Sequence, residues 1–296
     1  NNLKFVDFSE NTKLTVISKR LFKNSAIESI SFPSRITNIC QKAFQGCSNL
    51  KTISFQDESK LQTIKKSAFF ESQIESLNLP SSFVPDDKWC NMTLNLTNIE
   101  IKPNGKQSII KYEDKFILGK LNPKSDIYDI LVFARRDIEE AKIPSFIKQI
   151  APFAFQGCGK LKRVEFEKNS QLQIIGRHAF NDTKITTISI PSNVKQVSHR
   201  SFSRCLFLKS VCFSNNSKLE FIDQFAFAHS QIRNFLIPSN VIALADQVFD
   251  YCHSLEIIEY DENSKLNSIN FWDFCELDPF IIMIPSKMKI FLENDW

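Results

Sequence analysis

Glycine is scarce in this chain, with 6 residues in 296, against an average near 7% in proteins generally. One short segment, Gly157-Cys-Gly-Lys160, superficially resembles a phosphate-binding loop. It lacks the first glycine of that motif and the Ser or Thr that should follow the lysine. We therefore dismiss a phosphate-binding loop.

Long apolar runs are also missing. The longest are only five residues, as in Phe280 to Ile284, whereas a membrane helix needs roughly 18 to 20 apolar residues, so no membrane span is predicted in this chain. The first eight residues have no basic start, apolar stretch or cleavage site of a secretory signal. Such a signal could still lie upstream in a longer precursor.

Blocks of like charge do not occur. The net charge is +4 and residues of both signs are interspersed, so neither a nucleic-acid-binding stripe nor an acidic tail is indicated. Nucleic acid is therefore not a predicted partner. The hydrophobic content of 43% is ample for a buried core, and the length permits one large domain or two.

Catalytic and metal-binding constellations are not found either. No C-x-x-C pair exists, which leaves zinc and thioredoxin chemistry without support. The four histidines are scattered and form no H-E-x-x-H or H-x-x-x-H pair; they are His178, His199, His229 and His253. We predict no catalytic residue, no metal site and no cofactor, and hence that the chain is not an enzyme.

Phenylalanine, in contrast, is abundant, with 28 residues, and much of it follows a repeat. One pattern, Leu-x-x-aliphatic-x-apolar, begins at Leu3, Leu50, Leu96, Leu161, Leu208 and Leu255. A sister pattern, Ile-x-x-apolar-x-apolar-Pro, alternates with it and runs over 27–33, 74–80, 138–144, 185–191 and 232–238, with a degenerate copy ending at Pro285. Several copies of the first pattern are 47 residues apart.

A second template lies between consecutive strand patterns and reads aliphatic-x-x-aliphatic-x-x-x-small-Phe, often followed by Cys three residues later. Its phenylalanines are Phe22, Phe44, Phe69, Phe155, Phe180, Phe202, Phe227, Phe249 and Phe274. Together the patterns give twelve turns of about 23 to 24 residues, within the range of leucine-rich repeats. Stacked turns would bury Leu, Ile and Phe in continuous ladders. The first, fourth and sixth strand residues would point inward and the second, third and fifth would line an open face.

These residues resemble the BspA-like leucine-rich repeats of bacterial and protist, especially trichomonad, surface proteins. The segment from Ile185 to Val194, followed by Val197, Phe202 and Cys205, matches their signature almost position for position. The resemblance implies an α/β leucine-rich-repeat solenoid with a curved parallel sheet on its concave face and short helical turns on its convex side. It also implies adhesion or recognition at the cell surface.

The repeat fails from about residue 104 to 136. Lys115–Gly119 and Asp129–Ala134 are β-rich and are separated by the turn signal Asn-Pro-Lys-Ser. We interpret them as an inserted β-hairpin packed beside the solenoid, and a similar module occurs in BspA-like proteins. The predicted domains are repeats over 1–103, the hairpin module over 104–136 and repeats over 137–296. A linker between two separate domains is the alternative interpretation.

Four of the eight cysteines share one template position: Cys47, Cys158, Cys205 and Cys252. Copies two turns apart would be separated by roughly 10 Å, which exceeds the limit of about 7 Å between the Cα atoms of a disulfide. We therefore predict that they are buried small hydrophobic side chains. Cys40, Cys90, Cys212 and Cys275 lie off this column, and Cys212, at an outward strand position, is the predicted exposed thiol.

The open face of the later turns is the predicted binding surface. Its basic band consists of Lys162, Arg163, Lys209 and Arg233, with Glu165, Glu256 and Glu259 beside it. This band is predicted to bind an acidic protein or glycan, with an ordinary solvated face as the alternative. Four N-glycosylation sequons, at Asn91, Asn95, Asn181 and Asn215, would be usable in a secreted protein.

The predicted function is non-enzymatic recognition by an adhesin-like protein that is secreted or at the cell surface and binds a host or neighbouring-cell protein or glycan. The alternative is an intracellular, cytoplasmic scaffold for protein assembly. A strand pattern begins already at Leu3, whereas a solenoid needs a polar cap over its last apolar layer. We therefore expect that the protein continues beyond this chain, or that partners or self-association cover its ends.

Overall fold

The computed structural model describes residues 2–9, 12–266, 268–270, 281–283 and 289–291. It forms two compact units, Asn1–Asp137 and Ile138–Trp296, which are treated separately below. Three residues of the predicted repeat, Phe274, Cys275 and Pro285, lie outside the described residues.

The secondary structure of the described residues consists of strands and turns. The strands of the first unit are β1 (Val16–Ile17), β2 (Ser29–Phe32), β3 (Asn38–Ile39), β4 (Thr52–Phe55), β5 (Thr63–Ile64), β6 (Ser76–Pro80), β7 (Asn98–Lys102), β8 (Ile109–Tyr112), β9 (Phe116–Gly119) and β10 (Ile130–Ala134). Those of the second are β11 (Glu140–Ile143), β12 (Gln149–Ile150), β13 (Arg163–Phe166), β14 (Ile174–Ile175), β15 (Thr187–Ile190), β16 (Gln196–Val197), β17 (Ser210–Phe213), β18 (Phe221–Ile222), β19 (Asn234–Ile237), β20 (Ala243–Leu244), β21 (Ile257–Tyr260), β22 (Ser268–Asn270), β23 (Ile281–Met283) and β24 (Lys289–Phe291).

In the first unit the long strands of successive turns form a parallel sheet in the order β2-β4-β6-β7. The two-residue strands β1, β3 and β5 form a second parallel row. Equivalent residues of neighbouring turns lie side by side, so that Ile30 pairs with Ile53 and Phe32 with Phe55. The repeat period therefore sets the register of the sheet, as expected of a solenoid.

In the second unit the long strands pair in groups, β11-β13, β15-β17 and β19-β21-β23. The short strands β12, β14, β16, β18 and β20 form an unbroken parallel row, and β22 pairs with β24. The breaks in the long-strand row follow β13 and β17, which are strands of the Leu type. The ladder is not interrupted after the Leu-type strands β4 and β21, which pair with β6 and β23.

Most of the predicted inward positions are buried, whereas Leu3 is exposed and Phe166 and Phe213 are half-buried. Leu161, Ile185, Ile188 and Leu208 are at most 2% exposed. The phenylalanine column is also confirmed: ring centroids lie 4.7 Å apart for Phe155 and Phe180 and 5.2 Å apart for Phe180 and Phe202. Both interplanar angles are below 20°. Each turn thus buries an aromatic ring between the rings of its neighbours.

The predicted short helical turns are wrong, because the described residues contain no helix. The residue two positions before each column phenylalanine has a positive φ, as does the residue two positions after most of them; Lys42 (59°) and Gly46 (69°) around Phe44 are one example. Left-handed residues at this spacing interrupt a right-handed helix. The amides of the segment bond to the next turn instead, as Phe44 N–H does to the Ala68 carbonyl at 2.8 Å.

The number of turns is also lower than predicted. Each unit consists of parallel β-solenoid turns, about 11 in all, against the twelve strand patterns of the sequence. One of the twelve patterns, that at Leu3, forms no strand among residues 2–9. Its last residue still occupies the expected ladder position, because the ring of Phe8 lies 5.6 Å from that of Phe32.

The segment that breaks the repeat forms antiparallel structure, with β9 paired to β10 through a bulge between Leu131 and Phe133. The hairpin strands predicted at 115–119 and 129–134 are therefore confirmed. A third strand, β8, was missed; it pairs antiparallel with β9. The connecting residues Glu113 and Asp114 both have positive φ, and the pair lacks the glycine that usually marks such a hairpin turn in a sequence. The domain boundaries at 104 and 136 stay a prediction.

Candidate recognition surface

The predicted binding residues lie on or just before the long strands of the second unit. Lys162, Arg163 and Glu165 belong to the β13 turn, and Lys209 and Arg233 immediately precede β17 and β19 by one residue. Glu256 precedes β21 and Glu259 lies within it. All are exposed except Glu259, which is half-buried. Alternation directs Arg163, Glu165 and Glu259 away from the buried fourth residue of each strand pattern. Lys162, Lys209, Arg233 and Glu256 lie in the exposed residues that precede the strands.

Ion pairs link most of the basic band to acidic neighbours. Lys162 Nζ lies 3.7 Å from Glu139 Oε2, and Arg233 Nη1 lies 3.7 Å from Glu256 Oε1. Arg163 pairs with Glu165 on the same strand. Within the described part of the chain, Lys209 makes no ion pair. The charge of this face is thus largely compensated, although such exposed pairs contribute little and open readily.

Apolar side chains share the open face, and the sequence analysis did not single them out. Leu236 and Met283, both at the fifth strand position, are 47% and 48% exposed. The register of β19, β21 and β23 places them on either side of Glu259. The signal in the sequence is an apolar residue at the fifth position of a strand pattern, which points outward. The face of these three strands combines exposed apolar surface with charge.

The open face of the first unit is smaller and more polar. Ser29 lies beside Thr52 and Ser31 beside Ser54 along β2 and β4, and Lys51 is paired with Glu75. Large exposed apolar groups of the kind found on β19 and β23 are not among these positions. The chemistry suited to a specific partner is therefore denser in the second unit.

The cysteine column is buried, as predicted. Cys47, Cys205 and Cys252 are 0% exposed free thiols, and each donates to the carbonyl of the phenylalanine 25 residues before it; for Cys205 and Phe180 this distance is 3.2 Å. A Ser or Thr side chain of the preceding turn completes the contact, as Thr183 does for Cys205 at 3.3 Å. Burial raises the pKa of Cys205 to about 12 and that of Cys252 to about 11.

These environments predict which thiols react. Cys212 is exposed, whereas at pH 8 a thiol with a pKa of 12 has a thiolate fraction on the order of 10⁻⁴. We expect iodoacetamide to modify Cys212 quickly in the native protein and to leave Cys205 and Cys252 unmodified until the chain is unfolded. Peptide mass spectrometry over a time course measures both rates, and Cys212→Ser should remove the fast reaction. Rapid native labelling of Cys205 would contradict the buried column.

The four sequons differ in accessibility. Asn181 is 8% exposed and its side-chain amide donates to the Ser203 carbonyl at 2.8 Å, so a glycan there would disrupt the contact between turns. Asn91 and Asn95 are half-buried and donate to other side chains. Asn215 is exposed in the turn after β17. Glycosylation at Asn215 is therefore the modification that the fold accommodates best.

The described residues show no arrangement suited to metal binding. No group of three or more His, Cys, Asp or Glu residues comes together among them. The histidines pack against rings, as His178 does on Phe153 at 4.9 Å and His229 on Tyr251 at 4.6 Å. In the same described ranges, no helix has the length and apolar character needed to cross a bilayer.

The repeats of this chain match a known protein family. The sequence profile described as "BspA type Leucine rich repeat region" matches residues 1–97 and 131–256 in six copies. No curated protein is similar enough in sequence to count as a relative.

Solved structures show the same fold. The crystal structure of the pneumococcal vaccine antigen PcpA is 23% identical, with a TM-score of 0.78 over 99% of this chain and 69% of that one. A leucine-rich repeat protein from Eubacterium ventriosum is 18% identical, with a TM-score of 0.64 over 95% of this chain and 79% of that one. At these identities the likeness concerns the fold.

Proposed function

This chain belongs to the BspA-type leucine-rich-repeat family, and from that premise we propose that it is a non-enzymatic, adhesin-like recognition protein. It binds a protein or glycan partner through the open face of its second unit. The protein is secreted or displayed at the cell surface. PcpA, which shares the fold, is a vaccine antigen, and this supports a surface location.

The observation that carries the proposal is the open face of β13 to β21. Its charged and apolar side chains are held at regular spacing by paired strands whose opposite faces are buried. A rigid scaffold of this kind lowers the entropy lost when a partner binds. Lys209, Arg233 and Lys162 provide its basic groups, and Leu236 provides exposed apolar area. Together these features suit a macromolecule that carries acidic groups.

Charge reversal tests the proposed surface. We expect the protein to bind immobilised heparin or a poly-glutamate peptide, as probes for an acidic glycan and an acidic protein. Replacing Lys162, Lys209 and Arg233 together with Glu should weaken that binding at least about tenfold, because the band would become acidic. Surface plasmon resonance at two salt concentrations measures the effect.

Two further variants sharpen this test. A matched control carries the same charge change at Arg177, Arg200 and Arg204, which are exposed on the turns between short and long strands, and it should bind as the wild type does. Glu139→Gln with Glu256→Gln frees Lys162 and Arg233 from their partners and should strengthen binding. Equal binding by the triple reversal and the wild type would end the proposal for this face.

An intracellular scaffold is the second candidate, and the exposed thiol of Cys212 favours it, because exposed thiols persist best in a reducing compartment. Labelling of intact cells with a membrane-impermeant biotin reagent separates the two. Surface biotinylation, or glycan at Asn215, supports the adhesin-like protein. Recovery of the protein only after lysis supports the scaffold.

A further inference from the structure

A groove with a volume of about 690 Å³ lies in the second unit, at the ends of β13 and β15. Its walls include Phe166, Asn169, Ser189, Ser192 and Asn193. The groove lies where the long-strand ladder is interrupted, since β13 and β15 belong to different sheets. Its volume is within the usual range for ligand pockets.

The equivalent position in the first unit, between the ends of β4 and β6, is filled by a side chain. There the main-chain N–H and C=O of Phe55, at the end of β4, face β6, and the side chain of Asn78 on β6 forms hydrogen bonds with both. Phe55 N–H donates to Asn78 Oδ1 at 2.7 Å, and Asn78 Nδ2 donates to the Phe55 carbonyl at 3.4 Å. A residue in a parallel strand presents its N–H and C=O on the same side. One primary carboxamide can therefore bind both groups at once.

The second unit lacks this side chain. Phe166 holds the position of Phe55, and Ser189, which is exposed, holds the position of Asn78. A serine side chain carries a hydroxyl in place of the carboxamide and is one bond shorter, so its single oxygen does not span both main-chain atoms. Within the described ranges no residue of β15 bonds to the main chain of Phe166. The sequence change from Asn to Ser thus leaves a donor and an acceptor facing the groove.

The remaining groups of the groove are held in place. Asn193 Nδ2 donates to the Ser170 carbonyl at 2.8 Å, and Glu167 accepts from the Ser145 amide at 3.0 Å. These bonds fix the walls without filling the gap. In the first unit the corresponding space is about 300 Å³ and is crossed by the ion pair of Lys102 and Asp57 at 2.8 Å.

We propose that this groove binds the primary carboxamide of an Asn or Gln side chain in an extended segment of a protein partner, with Phe166 N–H and C=O as its receptor. The proposal rests on the recognition function above and names the partner's chemistry at one place on it. A carboxylate offers no donor for the Phe166 carbonyl. A single trans peptide group points its N–H and C=O to opposite sides, so one such group cannot bind both Phe166 atoms as a side-chain amide does.

Phenylalanine-selective ¹⁵N labelling makes the test direct. The probe is the capped tripeptide Ac-Ser-Asn-Ser-NHMe, and the methylamide cap avoids a second primary carboxamide. We expect it to shift the Phe166 amide resonance with a dissociation constant on the order of 1 mM, as suits a ligand this small. The matched peptides with Ala or Asp at the centre should bind at least about tenfold more weakly.

Substitutions at the gap complete the design. Ser189→Asn should supply the missing amide from the chain itself, as Asn78 does, and should abolish peptide binding while raising the melting temperature. Ser189→Ala is the matched control and should keep the binding. Asn78→Ser in the first unit should create a second site, seen as a new shift of the Phe55 amide.

Three results would distinguish a carboxamide site from the alternatives. Equal shifts with the Asn and Ala peptides, or undiminished binding by Ser189→Asn, would overturn the proposal. A shift of the Phe166 amide by glucose and not by the Asn peptide would overturn it in favour of a saccharide. The triple reversal of Lys162, Lys209 and Arg233 should leave peptide binding unchanged, so failure of the acidic-partner proposal is recognised separately from failure of this one.

Discussion

Replacing Phe180 with Ala should lower the free energy of unfolding of the second unit by about 3 to 5 kcal/mol. The ring is fully buried and lies between those of Phe155 and Phe202, with centroids 4.7 and 5.2 Å away. Its removal deletes one layer of a continuous column. Because each turn of a solenoid is stabilised by its neighbours alone, no distant contact can compensate for this loss.

Urea unfolding followed by circular dichroism measures this effect, with hydrogen exchange of the amides in β14 and β16 to localise it. Phe207→Ala is the control, since that ring belongs to the same unit and is 48% exposed. It should change the free energy of unfolding by less than about 1 kcal/mol. If Phe180→Ala cost no more than Phe207→Ala, the aromatic column would not be the source of stability.

The repeat explains why so much of this fold could be predicted. Burial of the first, fourth and sixth strand residues follows from alternation and period alone, and both are visible in segments such as Ile185–Pro191. The segments between strands could not be predicted in the same way. Their conformation depends on left-handed residues such as Phe153 and Arg200, whose side chains do not favour that region intrinsically. Hydrogen bonds to the next turn hold them there, and such bonds are tertiary contacts.

The same distinction applies to the candidate surface. The repeat template was sufficient to predict that Lys162, Arg163 and Lys209 are exposed. It could not show that Lys162 approaches Glu139 of the preceding turn, because side-chain rotamers decide such pairs. The groove at Phe166 was also missed. The relevant sequence difference is Ser189 at the position of Asn78. It indicates an unfilled gap only because the structure shows that β13 and β15 are not paired.

Replacing Arg136 with Met should destabilise the first unit by about 3 kcal/mol. Arg136 follows β10, at the predicted end of the inserted segment, and is 3% exposed. Its guanidinium donates to the carbonyls of Thr93 at 3.3 Å and Ala134 at 3.3 Å, and it lies 4.3 Å from the centre of the Phe133 ring. Methionine keeps much of the apolar stem and loses every donor. Each buried carbonyl left unsatisfied costs about 1 to 3 kcal/mol, and relief from burying a charge offsets part of this.

The adjacent Arg135 provides the matched control for this prediction. Its guanidinium is partly exposed and pairs with Asp137 at 2.8 Å and Asp114 at 3.2 Å, so Arg135→Met should cost less than about 1 kcal/mol. Arg136→Lys should fall between the two, because an ammonium keeps the charge and reaches fewer carbonyls. Chemical unfolding of the three variants ranks them. Equal losses for Arg135→Met and Arg136→Met would mean that burial of the Arg136 guanidinium does not tie the antiparallel strands to the repeats that precede them.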